Sequence, residues 1–127
     1  MGKYRLGYTT LEESKKFAEE GLSIETADMS YAYDFNDSRY VLTITPAKDW
    51  IIPKYAESTK IKQVLPCWSI TRIVDILENN GIKVSYEDKS WCLKTNVIEN
   101  GKRYCFVGGS LPKLVIEMLE SKIVKLK

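Results

Sequence analysis

The residues able to do chemistry in this chain are few and scattered. Of 127 residues none is histidine. A histidine-bearing catalytic triad, a His–metal site and a histidine pH switch are therefore excluded together. Cysteine stands at Cys67, Cys92 and Cys105. No C-x-x-C pair exists, and an odd, sparse set makes no disulfide framework. Each cysteine reads as a small apolar residue in or near the core, and this usage fits a reducing, cytoplasmic compartment. Asp75 and Glu78 share one face of a helical segment. Paired carboxylates can move protons or hold Mg²⁺, but these read as a solvated helix face. Asp34 and Asp37 flank a turn, their ordinary position. Calcium-loop and P-loop patterns are both missing, the latter even at Gly108-Gly109. The expectation is no catalytic residue, no metal and no cofactor.

Binding offers more candidates. Lys and Arg number 19 against 17 Asp and Glu, a formal charge of +2 that implies no polyanionic partner by itself. The charge is uneven, with seven acidic side chains against ten basic ones from position 64 onward. Arg72, Lys94, Lys102, Arg103 and Lys113 are candidate nucleic-acid contacts in this basic half. Phosphate binding there would weaken steeply with salt. No helix-turn-helix, zinc-finger or basic aromatic strand motif accompanies them. Trp50 and Tyr55, set in a long charged connection, are the candidate anchors for a protein partner. No apolar run approaches the roughly 18 residues of a membrane span. The opening segment reads as neither a signal peptide nor a myristoylation site.

These side chains must be positioned by elements that the pattern makes legible. Thr10-Leu11-Glu12-Glu13 has the form of a capping box. It opens a helix with Leu11, Phe17 and Ala18 as apolar stripe, ended by Gly21 with Leu22 as anchor. Tyr31, Tyr33 and Phe35, then Tyr40, Leu42 and Ile44, alternate with smaller residues. A turn centred on Asp37-Ser38 predicts pairs Phe35–Tyr40, Tyr33–Leu42 and Tyr31–Ile44, all six on one hairpin face. That face reads as the core side of a sheet rather than a base-stacking platform, because no Lys or Arg interleaves it. Pro46 stops the strand. Residues 46–66 then form a surface connection with one extra short strand or helical turn, where function is most expected.

Ser69 caps a second helix that buries Ile70, Ile73, Val74 and Leu77, with Trp68 stapled to Ile73. Asn79-Asn80-Gly81 ends it, and Ile82, Val84 and Tyr86 run on extended. Asn100-Gly101 signals a type I′ hairpin. It predicts Glu99 opposite Lys102, Val97 opposite Tyr104 and Thr95 opposite Phe106, with Trp91, Leu93, Val97, Tyr104 and Phe106 inward. Cys105 then faces Asn96, and no disulfide with Cys92 is expected. Ser110 caps a third helix with Pro112 in its first turn and Leu111, Leu114, Val115, Met118 and Leu119 inward. The basic ending 122–127 is expected to fray. The order helix, hairpin, connection, helix, hairpin, helix implies one α+β domain over residues 1–127. A mainly antiparallel sheet of two hairpins packs against helices in two layers, with 1–8 and 122–127 peripheral.

Thr26-Ala27-Asp28-Met29, Thr45-Pro46-Ala47 and Leu65-Pro66-Cys67-Trp68-Ser69, continued by Ile70-Thr71-Arg72-Ile73-Val74-Asp75-Ile76-Leu77, carry a resemblance. They are similar to segments of small uncharacterised proteins encoded by gut Bacteroidetes genomes and their phages or prophages. The likeness spans about residues 10–120, and its most specific part is Pro66-Cys67-Trp68-Ser69. Ser110-Leu111-Pro112 and Glu117-Met118 approximate that group's late segment loosely. The resemblance brings no activity; it implies a phage-associated accessory protein. The expected function is a small non-enzymatic accessory or protein-interaction protein. The alternatives are weak nucleic-acid binding through the basic second half, and an enzyme with an unrecognised His-free site.

Overall fold

Capping chemistry decides where the first two helices begin and end. The computed structural model describes residues 7–34, 36–47 and 61–126, without the side chains of 61–63. Helix α1 (Leu11–Glu19) opens with the expected capping box. Thr10 Oγ1 accepts the Glu13 N–H at 3.1 Å, and Glu13 Oε1 accepts the Thr10 N–H at 2.9 Å. It leaves through a Schellman turn, with Leu22 N–H on the Phe17 carbonyl and Gly21, at φ +94°, on the Ala18 carbonyl. Helix α2 (Ile70–Asn79) ends the same way, with Ile82 N–H on the Leu77 carbonyl and Gly81 on that of Glu78. Leu22 and Ile82 are both buried, the apolar anchors of the two turns. Helix α3 (Leu111–Glu120) has Ser110 at its cap position, but the Ser110 side chain makes no capping bond. A cap would serve the second or third helical N–H, and Pro112 has removed the second.

Among the described residues, two antiparallel sheets of three strands accompany the helices. The first contains β1 (Met29–Asp34), β2 (Arg39–Thr43) and β3 (Ile61–Cys67), in the order β2-β1-β3. The second is a meander of β4 (Lys83–Glu87), β5 (Ser90–Glu99) and β6 (Lys102–Gly108). The α+β architecture expected from the sequence is present, and each hairpin has acquired a third strand. Strand β3 is the extra strand of the long connection; it places Leu65 opposite Tyr31 and Pro66 opposite Ser30.

The first hairpin corrects the expected register by two residues. Tyr33 faces Tyr40, Tyr31 faces Leu42, and Asp34 faces Arg39. Asp34 Oδ1 accepts the Asn36 N–H at 2.9 Å and Ser38 takes φ +51°, so the loop is wider than a two-residue turn. An even shift preserves face membership, and Tyr31, Tyr33, Tyr40 and Leu42 still share a side. Ile44 falls beyond β2 and is 85% exposed, while Phe35 lies outside the described residues. The tyrosine face is half-buried rather than core: the Tyr33 ring meets Tyr40 edge-on at 5.1 Å. The fully buried residues of β1 are Ser30 and Ala32, on its other side.

In the second hairpin Asn100 and Gly101 both take positive φ, as a type I′ turn demands, and Glu99 faces Lys102. The register then shifts between Lys94 and Ile98, so that Lys94 faces Cys105 and Leu93 faces Phe106. The expected pairs Val97–Tyr104 and Thr95–Phe106 do not form. Thr95 explains the bulge: buried, it donates from Oγ1 to the Tyr104 carbonyl at 3.0 Å and accepts the Val97 N–H at 3.2 Å. A side chain has taken the place of a ladder bond. Val97 is 36% exposed instead of inward.

The main core lies between the three helices and the inner face of β4–β6. Phe17, Trp68, Ile73, Leu77, Leu93, Leu111, Val115 and Met118 are its most enclosed members. Trp68 has no exposure and its ring sits 5.1 Å from that of Phe17. Ala18 is exposed, so the α1 stripe is narrower than expected. Both flanks of the described chain are tied down. Tyr8 bridges to Ser69, and Thr9 donates its N–H to the Trp68 carbonyl at 2.9 Å. At the other end Val124 and Leu126 pack on the core, and Lys122 Nζ meets Glu20 Oε1 at 3.0 Å. Apolar contacts hold positions 122–126 where fraying was expected. Among the described residues, no helix is long and apolar enough to cross a membrane.

Candidate functional site

An antiparallel sheet covered on one side leaves its other face in water. Val84, Tyr86, Trp91, Leu93, Thr95 and Phe106 point from β4–β6 toward the helices. Alternation therefore sends Lys83, Lys94, Arg103, Cys105 and Val107 outward, and all five are exposed. Lys83 stands directly opposite Lys94 across the β4–β5 ladder. Like charges in that relation destabilise a sheet. Arg103 joins them from β6 in a shallow groove of about 370 Å³, whose other walls are Glu78, Gly81, Ile82 and Asn96. Among the described residues none of the three cations forms an ion pair. Val107 and Ile98, 64% and 61% exposed, add apolar surface to the same sheet face.

Gly81 and Asn96 form the rear wall of the groove. Gly81 takes φ +78°, and a Cβ there would collide with the side-chain amide of Asn96. Glycine thus lets α2 end in left-handed backbone and lets Asn96 lie against it. The Ile76, Leu77 and Glu78 carbonyls of α2 already have partners: Asn80 Nδ2 donates to Ile76 at 2.7 Å, and the Schellman bonds take Leu77 and Glu78.

Only part of the sequence-derived basic set converges. Lys94 and Arg103 share the groove, and Lys102 stands next to it at the hairpin tip with Glu99, Asn100 and Tyr104. Arg72 belongs elsewhere: it is half-buried on α2, and its Nε donates to the Thr26 carbonyl at 2.7 Å. Lys113, in the first turn of α3, lines a separate open groove of about 680 Å³ with Tyr8, Glu13, Ile70, Tyr86 and Trp91. Trp50 and Tyr55 lie outside the described residues. Lys83 was not among the sequence candidates. Its signal was the Asp88-Lys89 turn, where both residues take positive φ and set Lys83 against Lys94. Without a glycine that turn carried no hairpin signature.

Two buried polar clusters serve the frame. In one, Thr9 Oγ1 accepts the Trp68 N–H at 3.1 Å, meets Ser14 Oγ at 2.7 Å and donates to Cys67 Sγ at 3.5 Å. Tyr31 OH donates to the Thr9 carbonyl at 2.8 Å. Burial pushes the Cys67 thiol up, against hydrogen bonds from Thr9, Ser14 and Tyr31 that pull it down. Burial, and next the Cys67 charge, hold the Tyr31 phenol above its ordinary value. A protonated, enclosed thiol is inert rather than nucleophilic. Cys92 is half-buried and Cys105 exposed, so the expectation of core placement fits Cys67 and fails for Cys105. All three are free, with Cys105 facing Lys94 and Cys92 facing Val107.

In the other cluster, Trp68 Nε1 donates to Thr26 Oγ1 at 2.9 Å, and Ser69 gives both its N–H and its hydroxyl to Asp28. Two of the segments that carry the resemblance noted above, Thr26–Met29 and Leu65–Leu77, are thus the two halves of one clasp. Asp75 and Glu78 are exposed, and among the described residues no three Cys, Asp or Glu side chains gather as a metal site. Compared with protein-family models, curated proteins and solved structures, the chain matches none.

Proposed function

We propose that this is a cytoplasmic accessory protein that works by binding a protein partner through the outer face of β4–β6. One observation carries the reading. Three cations without an ion pair among the described residues, Lys83, Lys94 and Arg103, adjoin exposed Val107 and Ile98 on one solvated face. Apolar surface beside fixed charge is the composition of a protein contact. The same cations could hold phosphates, but none of the described groove residues is aromatic, so bases would find no stacking surface. The resemblance to phage and prophage proteins points to the same accessory role.

The test is site-specific photo-crosslinking in host lysate. A photoreactive residue at Val107 is expected to trap one defined protein that survives nuclease treatment. The same residue at exposed Lys15 on α1 should not trap it. Equal adducts from both positions would remove the reading.

A further inference from the structure

Resting on that reading, we infer that the groove between the α2 C-terminus and β4–β6 recognises an acidic polypeptide segment, with a carboxylate seated among Lys83, Lys94 and Arg103. Each cation comes from a different strand, and each strand is held by its neighbour: Lys83 against Lys94, Lys94 against Cys105, Arg103 against Ile98. Rigid elements therefore gather the charges. The Lys83–Lys94 pairing works against the fold, and an incoming anion relieves it. Arginine supplies the planar fork that a carboxylate accepts in two bonds.

The remaining walls narrow the class of anion. Asn96, exposed beside Gly81, offers both an amide donor and an acceptor, the pair a peptide backbone uses. Glu78 stands in the same groove and repels a second close negative charge. It suits single carboxylates spaced along a peptide better than the dense phosphates of a nucleic acid. A volume of about 370 Å³ admits a side chain or two and no duplex.

The full chain is titrated into a labelled peptide of about twelve Glu, Asp and Gly residues, and into single-stranded DNA of equal net charge, by fluorescence anisotropy. The peptide is expected to bind more tightly than the DNA at physiological salt. Lys83→Glu should weaken peptide binding about tenfold or more, as loss of a charge contact does, and Glu78→Gln should strengthen it. Lys83→Glu also exchanges a repulsive pair for an attractive one, so its thermal midpoint should rise or hold while affinity falls. Peptide binding that is indifferent to Lys83→Glu overturns the inference. Tighter, equally Lys83-dependent DNA binding overturns it in favour of nucleic acid. No peptide binding, with the Val107 crosslink intact, removes the acidic partner and leaves the docking face standing. Loss of both removes the face as well.

Discussion

Asp28 accepts both hydrogen-bond donors of Ser69, the N–H on Oδ1 at 2.9 Å and the hydroxyl on Oδ2 at 2.5 Å. The Ser69 oxygen in turn accepts the Arg72 N–H at 3.1 Å, so the cap of α2 is itself braced by the segment before β1. Asp28→Ala leaves a partly buried N–H without its acceptor and is expected to cost about 1–3 kcal/mol. Ser69→Ala should cost about 1 kcal/mol, the usual loss of a capping side chain. Because the residues share bonds, the double variant should cost less than the two single losses together. Denaturant midpoints of the three variants check this; strict additivity would mean the pair is not coupled.

Trp68 is the side chain on which the core and the clasp both depend. It has no exposure, touches Phe17 and donates its indole N–H to Thr26. Trp68→Ala is expected to cost about 3–5 kcal/mol. Trp68→Phe keeps a ring and loses the donor, so its loss should be smaller. Urea unfolding orders them; an unchanged midpoint for Trp68→Ala would contradict this packing.

Gly81 and Gly101 separate backbone strain from crowding. Both take positive φ, but a Cβ at Gly101 meets open space and one at Gly81 meets Asn96. Gly101→Ala should cost on the order of 1 kcal/mol through conformation alone. Gly81→Ala should cost only slightly more, because the atom a Cβ would meet is the terminal amide of the exposed Asn96, which can turn aside, and Asn96→Ala in that background should recover that small difference. The readout is again the unfolding midpoint, and a loss at Gly81 several times that at Gly101 would refute the free turning of Asn96.

Stability should fall on the alkaline side. The Cys67 thiol and the Tyr31 phenol both have folded pKa values raised by burial. A raised value means the native state keeps a proton that the unfolded chain releases. The contribution is complete below the ordinary thiol range of about 8.5 and declines above it, with the phenol following from about 10. Denaturant midpoints should therefore drop between about pH 9 and pH 11. Cys67→Ala should flatten the first part of the decline and Tyr31→Phe the later part. Slopes identical to wild type in both variants would contradict the assignment.

Local chemistry was readable where it closes on itself. The Thr10–Glu13 box, the glycine exits at Gly21 and Gly81, the Asn100-Gly101 turn and the α3 stripe each depend on residues a few positions apart. What escaped depends on distant partners. The β1–β2 register follows a loop held by Asp34 and Ser38, while β3 supports β1 from the far side. The β5 bulge exists because Thr95 binds the strand opposite, which no alternation announces. At the site, Lys94, Lys102 and Arg103 were legible as a basic hairpin. Lys83 was not, because only the fold sets it beside Lys94.

Pro66 lies within β3, at the border of its sheet, opposite Ser30. A strand at a border offers unpaired amides to any passing chain, and self-templated stacking begins there. Proline has no amide to offer, and it is tolerated where its nitrogen faces away from the paired neighbour. Just past it, the Tyr8–Ser69 bridge occupies the next stretch of chain. On the β3 side this small sheet is thereby closed to a further strand at Pro66 and Ser69, while β2 forms its other border.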